Sequence, residues 1–196
     1  MNSIKWLARG LVVFLAMIAA GCAASSADYK AILTDSQRPH TERQLDAVRK
    51  PHEVMAFYGV KKGDKVVDLL AGAGYYTAIL SQIVGAEGTV YSTNTREREE
   101  WSNRFKREPF ANVRTVVGPA DTVALPQDGS LDFAWTHLNY HDLSRETRTA
   151  LNKRVFAALK KGGIYGVADH SAREGSGDSD SKTLHRIDKQ IVIQEV

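Results

Sequence analysis

Apolar positions along this chain alternate between two spacings. Short runs dense in β-branched and aromatic residues recur at 65–70, 89–93, 113–117, 131–136 and 164–168, each bounded by turn residues, and each predicts a strand. Between them apolar residues fall three or four apart, predicting helices over 75–84, 96–107 and 144–159. In the last of these Leu151, Val155 and Leu159 form one stripe, and Gly162 lies beyond its end. The segment "GPADTVALPQDGS" before the fourth strand is too short and too rich in Pro and Gly for a helix, and predicts a loop. Strand and helix in repetition predict an α/β fold, a parallel sheet with right-handed crossovers and helices on both faces.

Upstream, residues 27–40 are polar and aperiodic and read as a tether. Thr41 with Gln44 three residues on forms a capping box that opens a short helix through Val48. Pro51 suits the first turn of a further helix, in which Val54, Phe57 and Tyr58 share a face and Gly59 ends it. Downstream, "SAREGSGDSDS" is loop-like, and "SKTLHRIDKQIVIQEV" predicts a helix aligning Leu184, Ile187 and Ile191.

The N-terminus follows another pattern. Lys5 and Arg9 precede an uncharged apolar stretch at 11–20 and then small residues up to Ala27, the three-part layout of a secretory signal. The apolar stretch is too short to span a bilayer comfortably. Residues 1–27 are therefore expected to direct export, giving a periplasmic protein or one anchored to a membrane. "IAAGC" resembles a bacterial lipobox, although Ala19 stands where Leu is commoner; on that reading Cys22 is acylated and heads a mature lipoprotein. Cleavage after Ala24 or Ala27 would instead release a soluble product.

At 196 residues, 43% apolar and 25% charged, the chain has room for one domain with a real core. Its single cysteine allows no internal disulfide, so in an oxidising compartment the core alone must hold the fold. Lys5 and Arg9 are two of 26 basic residues. Without them 24 stand against 23 acidic ones, and the resulting +1 gives no electrostatic basis for a nucleic-acid partner.

Ligands of open α/β sheets gather beyond the carboxyl ends of the strands. There "VVDLLAGAGYYT", residues 66–77, runs from a strand into a turn where Gly72 and Gly74 remove side chains, ahead of a helix N-terminus with free N–H groups. Alone, such a turn is as often only a tight strand-to-helix connection. Together with "GTVYSTN", "PADTVALPQDGSLDFAWTHLNYHDL" and "LKKGGIYGVADH", in this order, it resembles the class I S-adenosylmethionine-dependent methyltransferases, and at finer grain a group of exported methyltransferase-like bacterial proteins. The resemblance implies a Rossmann-like sheet in the order 3-2-1-4-5, S-adenosylmethionine as cofactor and a small-molecule methyl acceptor.

By that resemblance Asp68 orients the glycine loop and holds the methionine end of the cofactor, while Gly72 and Gly74 match the last two glycines of the first motif. Leu70 replaces its first glycine, and fits if its side chain turns away from the cofactor. Asn94 ends the second strand where the family has an acidic residue on both ribose hydroxyls; an amide offers one acceptor and one donor, a weaker hold. Asp121 matches the acidic position that contacts the adenine amino group, with a solvated turn aspartate as the competing reading. Tyr75 and Tyr76 pack on the cofactor, close the pocket or belong to the core. His137 joins this cofactor-binding set.

In "HLNYHD", residues 137–142, His141 is the candidate to take a proton from the acceptor, oriented by Tyr140 or Asp142, since an imidazole titrates near neutrality. The competing reading makes Asn139 and Asp142 caps of the next helix, with Tyr140 packed. By the same resemblance Asp169, His170, His185 and Arg186 are candidates for an acceptor pocket, while Arg38, Arg43 and Arg49 are candidates for a clamp on an anionic acceptor. Histidines with carboxylates nearby raise metal binding, but spacing across separate loops establishes no ligand geometry, and no metal ligand is assigned.

The family sheet has two further strands after the fifth, which this sequence lacks. The expected organisation is a signal at 1–27, a tether and helices at 28–58, and a C-terminally incomplete methyltransferase-like domain at 59–196 whose open fifth strand invites edge-to-edge dimers. The favoured function is methyl transfer from S-adenosylmethionine to a small acceptor. The alternative is a non-catalytic exported ligand-binding protein on the same scaffold, which Leu70, Asn94 and the missing strands favour.

Overall fold

In the computed structural model, which describes residues 26–196, side-chain alternation along β1 (Lys65–Leu69) divides the core in two. Val66 packs on one face with Val90, Phe133 and Trp135, whereas Val67 and Leu69 pack on the other with Ala134, Leu151 and Val155. Five parallel strands, β1, β2 (Thr89–Asn94), β3 (Val113–Val117), β4 (Leu131–His137) and β5 (Leu159–Ala168), stand in the expected order β3-β2-β1-β4-β5. Asp68 pairs in register with Ser92 of β2 and Trp135 of β4, which sets the end of β1 at the centre of the sheet, where the strand order reverses. On the first face lie α4 (Tyr75–Val84) and α5 (Glu99–Arg104); on the second lies α6 (Arg145–Ala158), with Val123 and Leu125 from the loop between β3 and β4.

Other expectations need correction. The segment read as a tether contains α1 (Ser26–Thr34), because Tyr29, Ile32 and Leu33 recur at helical spacing and pack on the first-face core. The Tyr29 hydroxyl donates to the Val60 carbonyl, tying α1 to the body of the protein. Helix α2 (His40–Arg49) starts before Thr41, with Pro39 as its N-cap and no side-chain capping bond. Helix α3 (Pro51–Tyr58) ends at a left-handed Gly59 as expected, but it buries Pro51 and Met55 and leaves Phe57 exposed.

Strand β5 begins at Leu159 rather than 164, since Leu159 pairs with Leu131 ahead of an irregularity in register. The single C-terminal helix expected is two, α7 (Ser181–Leu184) and α8 (Lys189–Glu195). A left-handed His185 breaks it, and Asp188 restarts it by accepting from the Gln190 N–H at 2.9 Å. Ile187, between them, is buried, and Leu184 is exposed. Cys22 and the apolar stretch before it lie outside the described residues.

Candidate functional site

At the end of β1 the turn opens into a cleft of about 420 Å³, within the range of small-molecule sites. A second cavity of about 210 Å³ adjoins it, and Leu70, Gly72 and Asn139 line both. Gly72 (φ +61°) and Gly74 (φ +85°) hold the left-handed backbone of the turn, for different reasons. A Cβ on Gly72 would meet nothing within 4 Å, whereas one on Gly74 would lie 2.3 Å from the Phe105 ring. Gly72 therefore preserves open space, and Gly74 a packing contact. Leu70 is also left-handed (φ +57°), a conformation that costs an L-residue about 1–2 kcal/mol. It lines both cavities, its N–H donating to Thr93 Oγ1 at 3.1 Å and its carbonyl accepting from Asn139 Nδ2 at 3.1 Å.

Asp68 is buried beneath the turn and lines the larger cleft. Thr77 Oγ1 donates to its Oδ2 at 2.6 Å, and Ser92 Oγ lies 2.8 Å from the same Thr77 hydroxyl and accepts from Trp101 Nε1 at 2.9 Å. Burial pushes the Asp68 carboxyl up to about 7, against the Thr77 hydrogen bond and the positive charge of Arg49, which pull it down. Arg49 lines the same cleft from the last turn of α2, its guanidinium 4.5 Å from the centroid of the Tyr75 ring.

Helix α2 is tied over the mouth of the cleft. The Tyr75 hydroxyl donates to Asp46 Oδ1 at 2.5 Å, Arg38 donates to both Asp46 oxygens at 2.6 and 2.8 Å, and the Tyr76 hydroxyl donates to the Arg49 carbonyl at 3.0 Å. Arg104 of α5 pairs with Glu42, Nη2 to Oε2 at 3.1 Å. Burial and the Asp46 carboxylate raise the Tyr75 phenol far above its ordinary range, so its hydroxyl stays a donor. Thr41, Leu45 and Arg49 face the cleft from successive turns, a helical spacing visible in the sequence but passed over there. The clamp of three arginines is not formed: Arg38 is buried on Asp46, Arg43 is exposed, and Arg49 alone lines the cleft.

Asn94 is buried and lines the smaller cavity. Its Oδ1 accepts from the Gly72 N–H at 2.9 Å and its Nδ2 donates to the Gly72 carbonyl at 3.0 Å, leaving one further acceptor site and one further donor. Asp121 lines neither cavity, and its backbone carbonyl accepts from Arg154 Nε of α6 at 2.7 Å.

His137, the last residue of β4, lines the larger cleft, its ring centroid 4.9 Å from that of Tyr76. Burial, and then the nearby Arg49 charge, push it down to about 4, so the imidazole is neutral at pH 7. Tyr140 is turned the other way: fully buried, its hydroxyl donates to Glu195 Oε2 at 3.0 Å and accepts from Asn152 Nδ2 at 2.9 Å. This tyrosine, expected to orient a base, joins α6 to α8 instead. His141 lines neither cavity, its Nδ1 2.7 Å from Asp169 Oδ1 and its Nε2 3.2 Å from Asp142 Oδ1. Asp142 borders the smaller cavity. The helix cap is Ser144, whose Oγ accepts from the Thr147 N–H at 3.2 Å, so neither Asn139 nor Asp142 has that role. Arg186 donates to the Ser171 carbonyl and, like His170, lines neither cavity.

Comparison with known proteins adds sequence similarity to this geometry. A family model described as the ubiE/COQ5 methyltransferase family matches residues 44–179. The chain is 36% identical over 112 residues to the demethylmenaquinone methyltransferase of Staphylococcus aureus, covering 57% of this chain and 45% of that protein. Over 61 residues it is 34% identical to the protein-L-isoaspartate O-methyltransferase of Ignicoccus hospitalis, covering 30% and 29%. It thus spans less than half the length of either relative. A methyltransferase structure from Aquifex aeolicus, described as SAM dependent, superposes with a TM-score of 0.59 at 21% identity, over 78% of this chain and 77% of that one. The [4+2]-cyclase SpnF superposes with a TM-score of 0.63 at 18% identity, over 78% and 56%. At these identities the likeness speaks for the fold, which does not by itself fix the reaction.

Proposed function

The chain belongs to the ubiE/COQ5 methyltransferase family, and from that premise we propose that it transfers a methyl group from S-adenosylmethionine to a small-molecule acceptor. The observation that carries the proposal is the pairing of Asp68 and Arg49 in one cleft on the glycine turn. A carboxylate and a guanidinium complement the ammonium and carboxylate of an amino-acid end, and Gly72 leaves space beside them. The remaining donor and acceptor of Asn94 are available to ribose hydroxyls in the adjoining cavity. Leu70, Gly72 and Asn139 form the wall between the two.

When bound, S-adenosylmethionine supplies an electrophilic methyl on a sulfonium centre. The chain's own part is alignment: α2, tied by Asp46 and Arg49 to the two tyrosines, narrows the cleft and limits water. His137 lines the cleft as a neutral hydrogen-bonding ring, since burial and the Arg49 charge resist its protonation, and it positions an acceptor rather than storing its proton. Incubation with methyl-labelled S-adenosylmethionine and a panel of hydroxylated aromatics and amines, beginning with demethylmenaquinone, tests the proposal. Label in a product, lost in Asp68→Ala, is expected. Silence across the panel together with failure to bind the cofactor would overturn it.

We also propose that the protein is exported, with residues 1–27 as its signal and Cys22 as a lipid-anchored N-terminus, and that β5, at the sheet edge, pairs with a second copy. Mass spectrometry of the mature N-terminus from a bacterial membrane fraction tests export. An unprocessed Met1 would contradict it, and a monomer by sedimentation would contradict the pairing.

A further inference from the structure

His141, Asp142 and His185 bring one ligand atom each within 4.8 Å of one another, on the 3-10 turn after β4 and the junction between α7 and α8. We infer that these three residues form a divalent cation site, suited to zinc. Asp142 Oδ1 lies 3.2 Å from His141 Nε2 and 3.6 Å from His185 Nδ1. Zinc bonds of about 2.0–2.2 Å in a tetrahedron put neighbouring ligand atoms about 3.4 Å apart, so these separations leave room for an ion between them. Two imidazoles with one carboxylate suit zinc rather than magnesium, which prefers an all-oxygen shell.

The surroundings of His141 strengthen the inference. Its ring is buried, and Asp169, buried behind it, accepts at Oδ1 from Nδ1 at 2.7 Å and at Oδ2 from the His141 backbone N–H at 2.9 Å. A carboxylate on Nδ1 keeps the proton there and turns the Nε2 lone pair outward, the arrangement typical of a metal-bound histidine. His185 stands edge-on to it, ring centroids 5.5 Å apart, and is exposed enough to close the remaining distance. Three protein ligands leave a fourth position open, and Asp142 also borders the smaller cavity, so the ion would adjoin the space beside the glycine turn. The inference does not depend on what the larger cleft binds. The competing arrangement, an imidazolium held between two carboxylates, uses the same atoms without an ion.

The test is calorimetric titration of the untagged, chelator-treated full chain with zinc chloride, followed by absorption spectroscopy with cobalt(II) as a reporter of tetrahedral geometry. One equivalent of zinc should bind. His185→Ala and Asp142→Ala, both at exposed side chains, should weaken it at least tenfold while leaving the melting temperature of the metal-free protein unchanged. Asp169→Asn should weaken it 10- to 100-fold. Exposed His170, outside the cluster, should be replaceable by Ala without effect. Failure of the wild type to take up zinc, or uptake that His185→Ala and Asp142→Ala leave intact, would overturn the inference in favour of the bare imidazolium.

Discussion

Asn94 and Gly72 hold each other by two hydrogen bonds, the Gly72 N–H to Asn94 Oδ1 at 2.9 Å and Asn94 Nδ2 to the Gly72 carbonyl at 3.0 Å. The amide reads both backbone groups of the turn at once, which a carboxylate cannot do, having no donor. Asn94→Ala would leave both Gly72 groups unpaired in a half-buried turn. The expected cost is about 1–3 kcal/mol in chemical denaturation, with at least tenfold weaker cofactor binding. A variant with unchanged stability and affinity would show that the turn holds its shape without Asn94.

The two glycines of the turn should separate stability from binding. Gly74→Ala places a methyl group on the Phe105 ring in left-handed backbone, and should cost roughly 2–4 kcal/mol from strain and overpacking together. Gly72→Ala meets nothing within 4 Å, and should cost only about 1–2 kcal/mol for its backbone while its methyl group obstructs the cleft. Urea denaturation beside cofactor titration of both variants checks the contrast. Equal losses of stability would contradict it.

Asp68 makes stability and binding respond oppositely to pH. Its carboxyl is pushed up to about 7 in the folded protein, so between about pH 4 and 7 the native state holds a proton that the unfolded chain has released. That contribution is fully present below the unfolded value and is lost as pH rises through 7, by up to about 1.4 kcal/mol per pH unit. The melting temperature of the wild type should therefore fall from pH 5.5 to 8 more steeply than that of Asp68→Asn. Affinity for a cationic ammonium should rise over the same window, by roughly tenfold between pH 5.5 and 7, as the carboxylate forms.

Tyr140 should be structural. Its hydroxyl joins Glu195 of α8 to Asn152 of α6, beside the buried Arg148, which donates to Glu195 Oε2 at 2.7 Å. Tyr140→Phe should cost about 0.5–1.5 kcal/mol in denaturation and leave cofactor affinity and methyl transfer unchanged. A rate loss of a hundredfold without a stability change would restore it to the catalytic set.

The strands and the cleft's position were legible in the sequence because β-branched runs and the Asp68 to Gly74 turn are local signals, whereas the sheet order was implied by the family resemblance. What the sequence left obscure depends on contacts between distant segments. Residues 26–34 carry the helical spacing of Tyr29, Ile32 and Leu33 over little more than two turns, and what that short stripe packs on is settled by distant Val60. "HLNYHD" cannot reveal that Tyr140 faces α8 and His137 the cleft, because a left-handed Leu138 (φ +58°) and a 3-10 turn reset the side-chain directions between them. The triad of His141, Asp142 and His185 crosses more than forty residues and forms only when α7 ends beside the β4 turn.

Calorimetric titration of the full chain with S-adenosylmethionine at pH 7.5 bears most directly on whether the Asp68 cleft receives an adenosylated amino acid. One saturable site is expected, competed by the demethylated product and abolished in Asp68→Ala without loss of the folded state. No heat of binding in a folded wild type, or binding that survives Asp68→Ala unchanged, would contradict it.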